Sequence, residues 1–338
     1  MDNLTHTLTA VALSQAGLHR KTRFATLTLI VAANLPDIDF ISRFWGSTTY
    51  LKYHRGLTHS ILGVSLLALL LGWSVYFLGR KAKPKSGLPP NLLWLLILAW
   101  IGTAGHLLMD FTNSYGVRPF LPFSARWYAW DIMFIFDPLL LLLLCLGLGL
   151  PTLLRMVSEE VGDRKTRPAW GAIFSLCALV FLWGLRDVAH RRVVGFLEGH
   201  TYSEQNPLHV GAFPSPVNPF EWTGVVETDT AYEVLPASAL ENHADPRSAD
   251  QFHKPPGSPA LDTALKTRTG RIFMDFARFP WAQTERSEEG FDVQIRDLRF
   301  ATSNGGGGFL AEIEMDSALR VRSETFSFRA PAVPAEEK

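Results

Sequence analysis

Apolar positions are not spread evenly along this chain. Residues 61–79, 92–109, 132–154 and 170–185 are apolar at nearly every position, and about 20 such residues in helical form cross the hydrocarbon core of a bilayer. The last stretch is short, and the third contains Asp137-Pro138. Two weaker stretches, 4–18 and 24–35, are apolar but short for a straight crossing; tilting, crossing partway or packing on the bundle would accommodate them. Beyond residue 185 the pattern changes. Residues 186–200 read as a short amphipathic helix leaving the membrane, and "PSPVNPF" as a Pro-rich connection. After it, "WTGVVETDTAYEVL", "GRIFMDFARF", "GFDVQIRDLRFAT" and "FLAEIEMDSALRVRSETFSFRA" alternate apolar and polar residues and are rich in Val, Ile and Phe, as strands are. A turn at "NGGGG" (304–308) and a loop at 241–259 interrupt them. The pattern predicts an all-α multi-pass membrane domain over 1–185, a helix and connection over 186–215, a small mainly-β soluble domain over 216–330, and a disordered tail over 331–338.

Composition agrees with a membrane protein. Only 19% of residues are charged, against about a quarter in soluble domains. The formal net charge is zero, so no basic footprint for nucleic acid is indicated. The two cysteines, Cys145 and Cys177, lie inside apolar stretches, which argues against a disulfide framework or a thiolate zinc site. The first residues lack the basic start and unbroken apolar core of a signal peptide and read as mature protein. Lys and Arg are unequally shared among the connections. Eleven fall in 20–23, 80–85 and 155–168, and five in 36–60 and 110–131. If both weak stretches cross, the basic connections lie in the cytoplasm, while the opposite loops and the C-terminal domain lie outside. Arg186, Arg191 and Arg192, which follow the last apolar stretch, argue against that orientation.

In this topology the ionisable groups of the apolar region gather at its outer face. His6 is near the end of the first stretch, Asp37 and Asp39 follow the second in "LPDID", His54 and His59 precede the third in "HRGLTHS", and His106 and Asp110 end the fourth. His106 and Asp110 are four apart, so on a helix they project from one face. Imidazole and carboxylate together suit zinc, manganese or iron, and ionisable groups at membrane depth are functional candidates by default. Arg55 stands ready to bind an anion or a developing oxyanion. Plainer readings exist for each residue. His6 can be a hydrogen-bonded surface histidine, one Asp of "PDID" a turn or helix cap, His106 and Asp110 a hydrogen-bonded couple, and Asp137 a helix start or a supporting carboxylate. Convergence of the set on one face favours metal binding.

The segments "LPDID", "HRGLTHS" and "GHLLMDFTNSYGVRPFLPF", in this order, resemble the YdjM-type family of bacterial inner-membrane proteins, over roughly residues 1–150. The resemblance implies a helical protein of the inner membrane with a His/Asp metal site and metal-dependent hydrolase activity. More distantly, the order His6, Asp37, His54 or His59, then His106 with Asp110 is similar to the zinc-dependent phospholipase C and P1 nuclease superfamily, which implies a helical core of that type. The chain departs from that pattern after Asp110, where the next histidine is His190, and it has no N-terminal tryptophan. The departures favour one or two divalent ions, zinc ahead of manganese or iron, over three, with Asp131 or Asp137 as supplements. The implied ligands are His6, Asp37, His54, His59, His106 and Asp110, with Asp39 as base and Arg55 on the substrate anion. A lipid or lipid-linked phosphate ester at the outer membrane surface is the expected substrate, by location and analogy. The alternatives are a regulatory or scaffold protein with a structural metal, whose partner surface would be the basic loops, and an ion transporter. Against the transporter, the cluster sits at one face with only Asp137 deeper. His243 and His253 read as solvated loop residues.

Overall fold

The computed structural model describes residues 1–81, 88–160, 169–241, 246–300 and 308–328. The expected basic connection after Lys81, most of the 155–168 loop, the "NGGGG" turn up to residue 307, His243 and the tail lie outside the described residues. The chain forms two compact units, Met1–Phe40 with Arg55–Asp187 and Pro216–Asn218, and Ile41–His54 with Val188–Ser215 and Pro219–Lys338.

The first unit is helical. Asp2 caps α1 (Asn3–Gln15), accepting from the Thr5 N–H at 3.0 Å. It is followed by α2 (Ala25–Ala32), and the chain then tightens into 3-10 turns over Leu35–Trp45, starting where Pro36 cannot continue an α-helix. In the second unit α3 (Ser47–Tyr53) follows; the first unit resumes with α4 (Ile61–Lys81) and α5 (Leu92–Phe111), capped by Asn91 through the Trp94 N–H at 3.1 Å. Residues 112–136 fold back on themselves, with Val117 and Tyr128 paired as in a short antiparallel ladder. Next come α6 (Pro138–Glu160) and α7 (Trp170–Glu198). Small residues let these helices approach closely. A Cβ on Gly102 of α5 would collide with Ala32 of α2, and one on Gly171 of α7 with the Gly147 backbone of α6. Leu66, Leu70 and Phe77 of α4 and Val180 and Phe181 of α7 remain exposed. Such a surface is unfavourable in water and at home in lipid.

Among the described residues, four helical spans are long and apolar enough to cross a membrane: Ala25–Trp45, Ile61–Lys81, Leu92–Phe111 and Trp170–Glu198. One of these differs from the sequence expectation, and one expected stretch is not among them. The short stretch at 24–35 reaches 21 residues once the 3-10 turns are included. The stretch expected over 132–154 becomes helical only at Pro138, because Asp137 caps α6 by accepting the Leu140 N–H at 2.9 Å. That carboxylate is fully buried and also meets the Arg186 guanidinium at 2.8 Å. Arg186 is therefore an internal ion-pair partner, not a loop charge, and no longer joins Arg191 and Arg192 as an argument against the expected orientation. α7 also continues unbroken through 186–198, where a separate helix was expected.

Among the described residues, the second unit holds two antiparallel four-stranded sheets, each with its strands in chain order. The first comprises β1 (His209–Pro214), β2 (Glu221–Glu227), β3 (Ala231–Ser238) and β4 (Asp250–His253). Trp222, Val226 and Leu235 pack with Ala189, Val193 and Leu197 of α7. Between the sheets in sequence lie α8 (Pro259–Lys266) and α9 (Arg268–Phe276). The second sheet comprises β5 (Pro280–Ser287), β6 (Gly290–Asp297), β7 (Leu310–Asp316) and β8 (Val321–Ser327). "GRIFMDFARF", expected as a strand, is mostly helix α9. Thr267 caps it at the Gly270 N–H, 3.0 Å, and Thr269, Phe273 and Phe276 are buried at helical spacing.

Removing one partner of the Asp137–Arg186 pair strands a buried charge, at a typical cost of about 3–5 kcal/mol. Asp137→Ala and Arg186→Ala should each lower the unfolding temperature in detergent sharply. The double replacement by leucines should recover most of the loss, and equal destabilisation by singles and double would contradict the pairing.

A candidate metal centre

α5 presents His106 and Asp110 one turn apart, both about 1% exposed. Because α2 ends at Ala32, the Ala33 carbonyl is available to the ring of His106, whose Nδ1 lies 2.7 Å away. A donor N–H at Nδ1 leaves the Nε2 lone pair facing inward. The 3-10 turns after α2 bring in Asp37 and Asp39, and the short turn Leu57–His59 before α4 brings in a fully buried His59. Their atoms converge. His59 Nε2 lies 3.0 Å from His106 Nε2, 3.4 Å from Asp37 Oδ1 and 3.4 Å from Asp110 Oδ2. His106 Nε2 lies 3.6 Å from Asp37 Oδ1 and 3.5 Å from Asp110 Oδ2. Four donors on a tetrahedral zinc with bonds of about 2.1 Å would stand about 3.4 Å apart. The donor set and its spacing fit a divalent ion held by Asp37, His59, His106 and Asp110.

The other expected residues surround this group in different roles. Asp39 Oδ2 lies 3.1 Å from His59 Nδ1, and it accepts from the Arg55 backbone N–H at 2.9 Å and the Thr58 hydroxyl at 3.0 Å. A carboxylate behind a histidine in this way fixes the ring and raises its basicity. Expected as a base, Asp39 is thus placed to orient His59. Arg55, expected to meet a substrate anion, has a buried guanidinium. It donates to Asp110 Oδ1 at 3.0 Å, Asn113 Oδ1 at 2.8 Å and Gly116 O at 3.3 Å, and lies over the Tyr115 ring at 4.7 Å. His6 stacks on His106 with ring centroids 3.9 Å apart, and its Nε2 is 3.5 Å from Asp110 Oδ1. Among the described residues, neither ring nitrogen of His6, both of them buried, has a hydrogen-bond partner. The Met1 α-amine also pairs with Asp110 Oδ1. His54 ends α3, stacks on Tyr50 at 4.5 Å and belongs to the second unit, outside this group of four. Of the two supplements, Asp137 is committed to Arg186 and the α6 cap, while Asp131 is a buried residue with left-handed backbone, φ 60°.

Sequence reasoning did not single out Asn113, Tyr115, Thr58 or the Ala33 carbonyl. The signal for the first two was present, as "TNSYG" begins two residues after Asp110. Nothing in a sequence marks a backbone carbonyl as a histidine partner.

A bundle with membrane-length helices and a buried His/Asp cluster able to hold a cation defines a helical membrane protein with a candidate metal centre. The chain belongs to the YdjM inner membrane protein family, whose profile matches residues 1–190. Over 337 residues it is 22% identical to the uncharacterized protein YfhP of Bacillus subtilis (strain 168), covering 96% of this chain and 94% of that protein. No solved structure gives a significant match.

The protonation of His59 supplies a test of metal binding. Burial opposes its charged form, but hydrogen bonds to Asp110, Asp37 and Asp39 outweigh burial and push its pKa from 6.5 up to about 10. In the metal-free chain this stabilisation is complete below pH 6.5 and is lost as pH rises through about 10. A metal ion must displace that proton, so zinc affinity should climb roughly tenfold per pH unit between pH 6.5 and 8.5. Titrations of chelator-treated protein at several pH values measure it, and a flat affinity would remove His59 from the ligand set.

Proposed function

We propose that this protein is a membrane-bound, metal-dependent hydrolase of phosphate esters, lipid or lipid-linked, working at the outer face of the inner membrane. The observation that carries the reading is the group Asp37, His59, His106 and Asp110, whose donor atoms lie at metal-ligand spacing at one end of membrane-length helices. The order His6, Asp37, His59, His106, Asp110, similar to that of the zinc-dependent phospholipases and nucleases, supports the choice of substrate class and of zinc, with manganese or iron as alternatives. The extracytoplasmic placement of the site and of the sheets is supported by the share of Lys and Arg among the loops.

A bound divalent ion would activate water and polarise the phosphoryl oxygen. The chain's own groups do the rest. Asp39 holds the ring of His59 and the Ala33 carbonyl that of His106, so two nitrogens stay aimed at one point. Asp37, whose side chain is 19% exposed against 0–1% for the other three, is the edge of the group that water and substrate can reach. It takes the proton-accepting role expected of Asp39. The exposed side chains of Phe120 and Phe123, in the loop after α5, suit contact with acyl chains.

Burial of three of the four ligands favours a second reading, in which four protein ligands close the coordination shell and the ion is structural, in a regulatory or scaffold protein. The two readings separate by experiment. His106→Ala and Asp110→Ala should lower phosphodiesterase or phosphomonoesterase turnover by at least about a hundredfold and abolish metal binding, with the protein still monodisperse in detergent. Full activity in the His106→Ala, Asp110→Ala double variant would overturn the hydrolase, and metal-dependent folding with no activity on any phosphate ester would favour the structural ion.

A further inference from the structure

The two oxygens of Asp110 face different surroundings. Oδ2 belongs to the group formed with His59 and His106. Oδ1 points the other way, toward His6 Nε2, Arg55 and the Met1 α-amine. A carboxylate with a histidine at each oxygen is the arrangement that bridges two cations, and His6, with both ring nitrogens buried and unbonded, is a ligand waiting for one. The Oδ1 side, however, already holds a cation. The Arg55 guanidinium donates to it at 3.0 Å and is fixed from three further directions, by Asn113 Oδ1, Gly116 O and the face of Tyr115. A side chain held in this way, in a residue 4% exposed, is part of the framework and not a reaching substrate-binding group.

Resting on the metal-binding reading above, we infer that the centre takes a single divalent ion, and that Arg55 is a built-in counter-cation occupying the place of a second one. Charge supports this independently of geometry. Asp37, Asp39 and Asp110 bring three negative charges, which one divalent ion and Arg55 match. On the same count, which leaves the α-amine out on both sides, a second divalent ion beside Arg55 would leave two positive charges in excess, in an interior where unmatched charge is strongly disfavoured. Asn113 is the positioning residue of the arrangement, since it accepts from Arg55 and from the Tyr115 backbone N–H through the same oxygen. His6 then serves as a packing partner of the His106 ring in the native protein and becomes a ligand only if the arginine is removed.

The test is metal stoichiometry, read by elemental mass spectrometry on full-length, detergent-purified protein equilibrated with zinc alone. One ion per chain is expected in the wild type, one in His6→Ala, two in Arg55→Met, and one again in the Arg55→Met, His6→Ala double variant. Arg55→Lys, which keeps the charge, should stay at one. Two ions in the wild type, falling to one in His6→Ala, would overturn the inference while leaving the metal centre standing. No ion in folded wild-type protein would overturn the metal reading itself and this inference with it. A folded Arg55→Met that still binds one ion would overturn the role of Arg55. If Arg55→Met does not fold, the wild type, His6→Ala and Arg55→Lys counts still decide, because two ions in either Arg55→Lys or the wild type contradict the proposal.

Discussion

Asp110 is a carboxylate about 1% exposed, at the end of a helix of membrane length. A charge buried so completely must be met on all sides, because leaving it unmatched in a medium of low dielectric costs several kcal/mol even after relaxation. Much of the surrounding structure can be read as that match. Arg55 and the Met1 α-amine meet one oxygen, and His59 and His106 meet the other. Arg55 and His59 come from the segment between α3 and α4, and His106 from α5 itself, so neutralising one carboxylate requires segments distant in sequence to meet.

That meeting depends on close helix packing. Gly102 lies one turn before His106 and admits α2 near its end, which is what carries the Ala33 carbonyl to the His106 ring. The small residue and the polar ring therefore act together: without the close approach, Nδ1 would have no partner and Nε2 no fixed direction. The Asp137–Arg186 pair follows the same rule elsewhere in the unit, where a helix cap and a buried arginine satisfy each other and tie the start of α6 to α7. In both places the charged groups lie inside the bundle while the exposed surface of the helices is apolar, as expected where the surroundings are lipid.

The match to the YdjM inner membrane protein family covers the helical part, through residue 190, and the similarity to YfhP continues across nearly the whole chain. The sequence similarity to that relative thus extends over the segments that form the sheets. Their interior is ordinary protein core, Trp222 and Val226 with Leu235 in one sheet region and Val293, Ile295 and Ile313 in the other. The chain joins two kinds of folding problem. One is solved by water exclusion, the other by helix packing and internal charge pairing.

Local features were legible in the sequence because their physics is local. Apolar length marked the helices, the spacing of four put His106 and Asp110 on one face, and alternation marked the β2–β3 and β7–β8 hairpins. Where two local signals competed, alternation misled: "GRIFMDFARF" alternates well enough for a strand, but the Thr267 cap and burial at helical spacing make it α9. The roles of the site residues were of another kind. That Asp39 stands behind His59, that Arg55 faces inward to Asp110 and Asn113, and that His54 packs with Tyr50 in the second unit were decided only by the tertiary structure. A side chain's partners are set by which remote backbone segments reach it and by which charges must be neutralised there, and neither is a property of the residues adjacent in sequence.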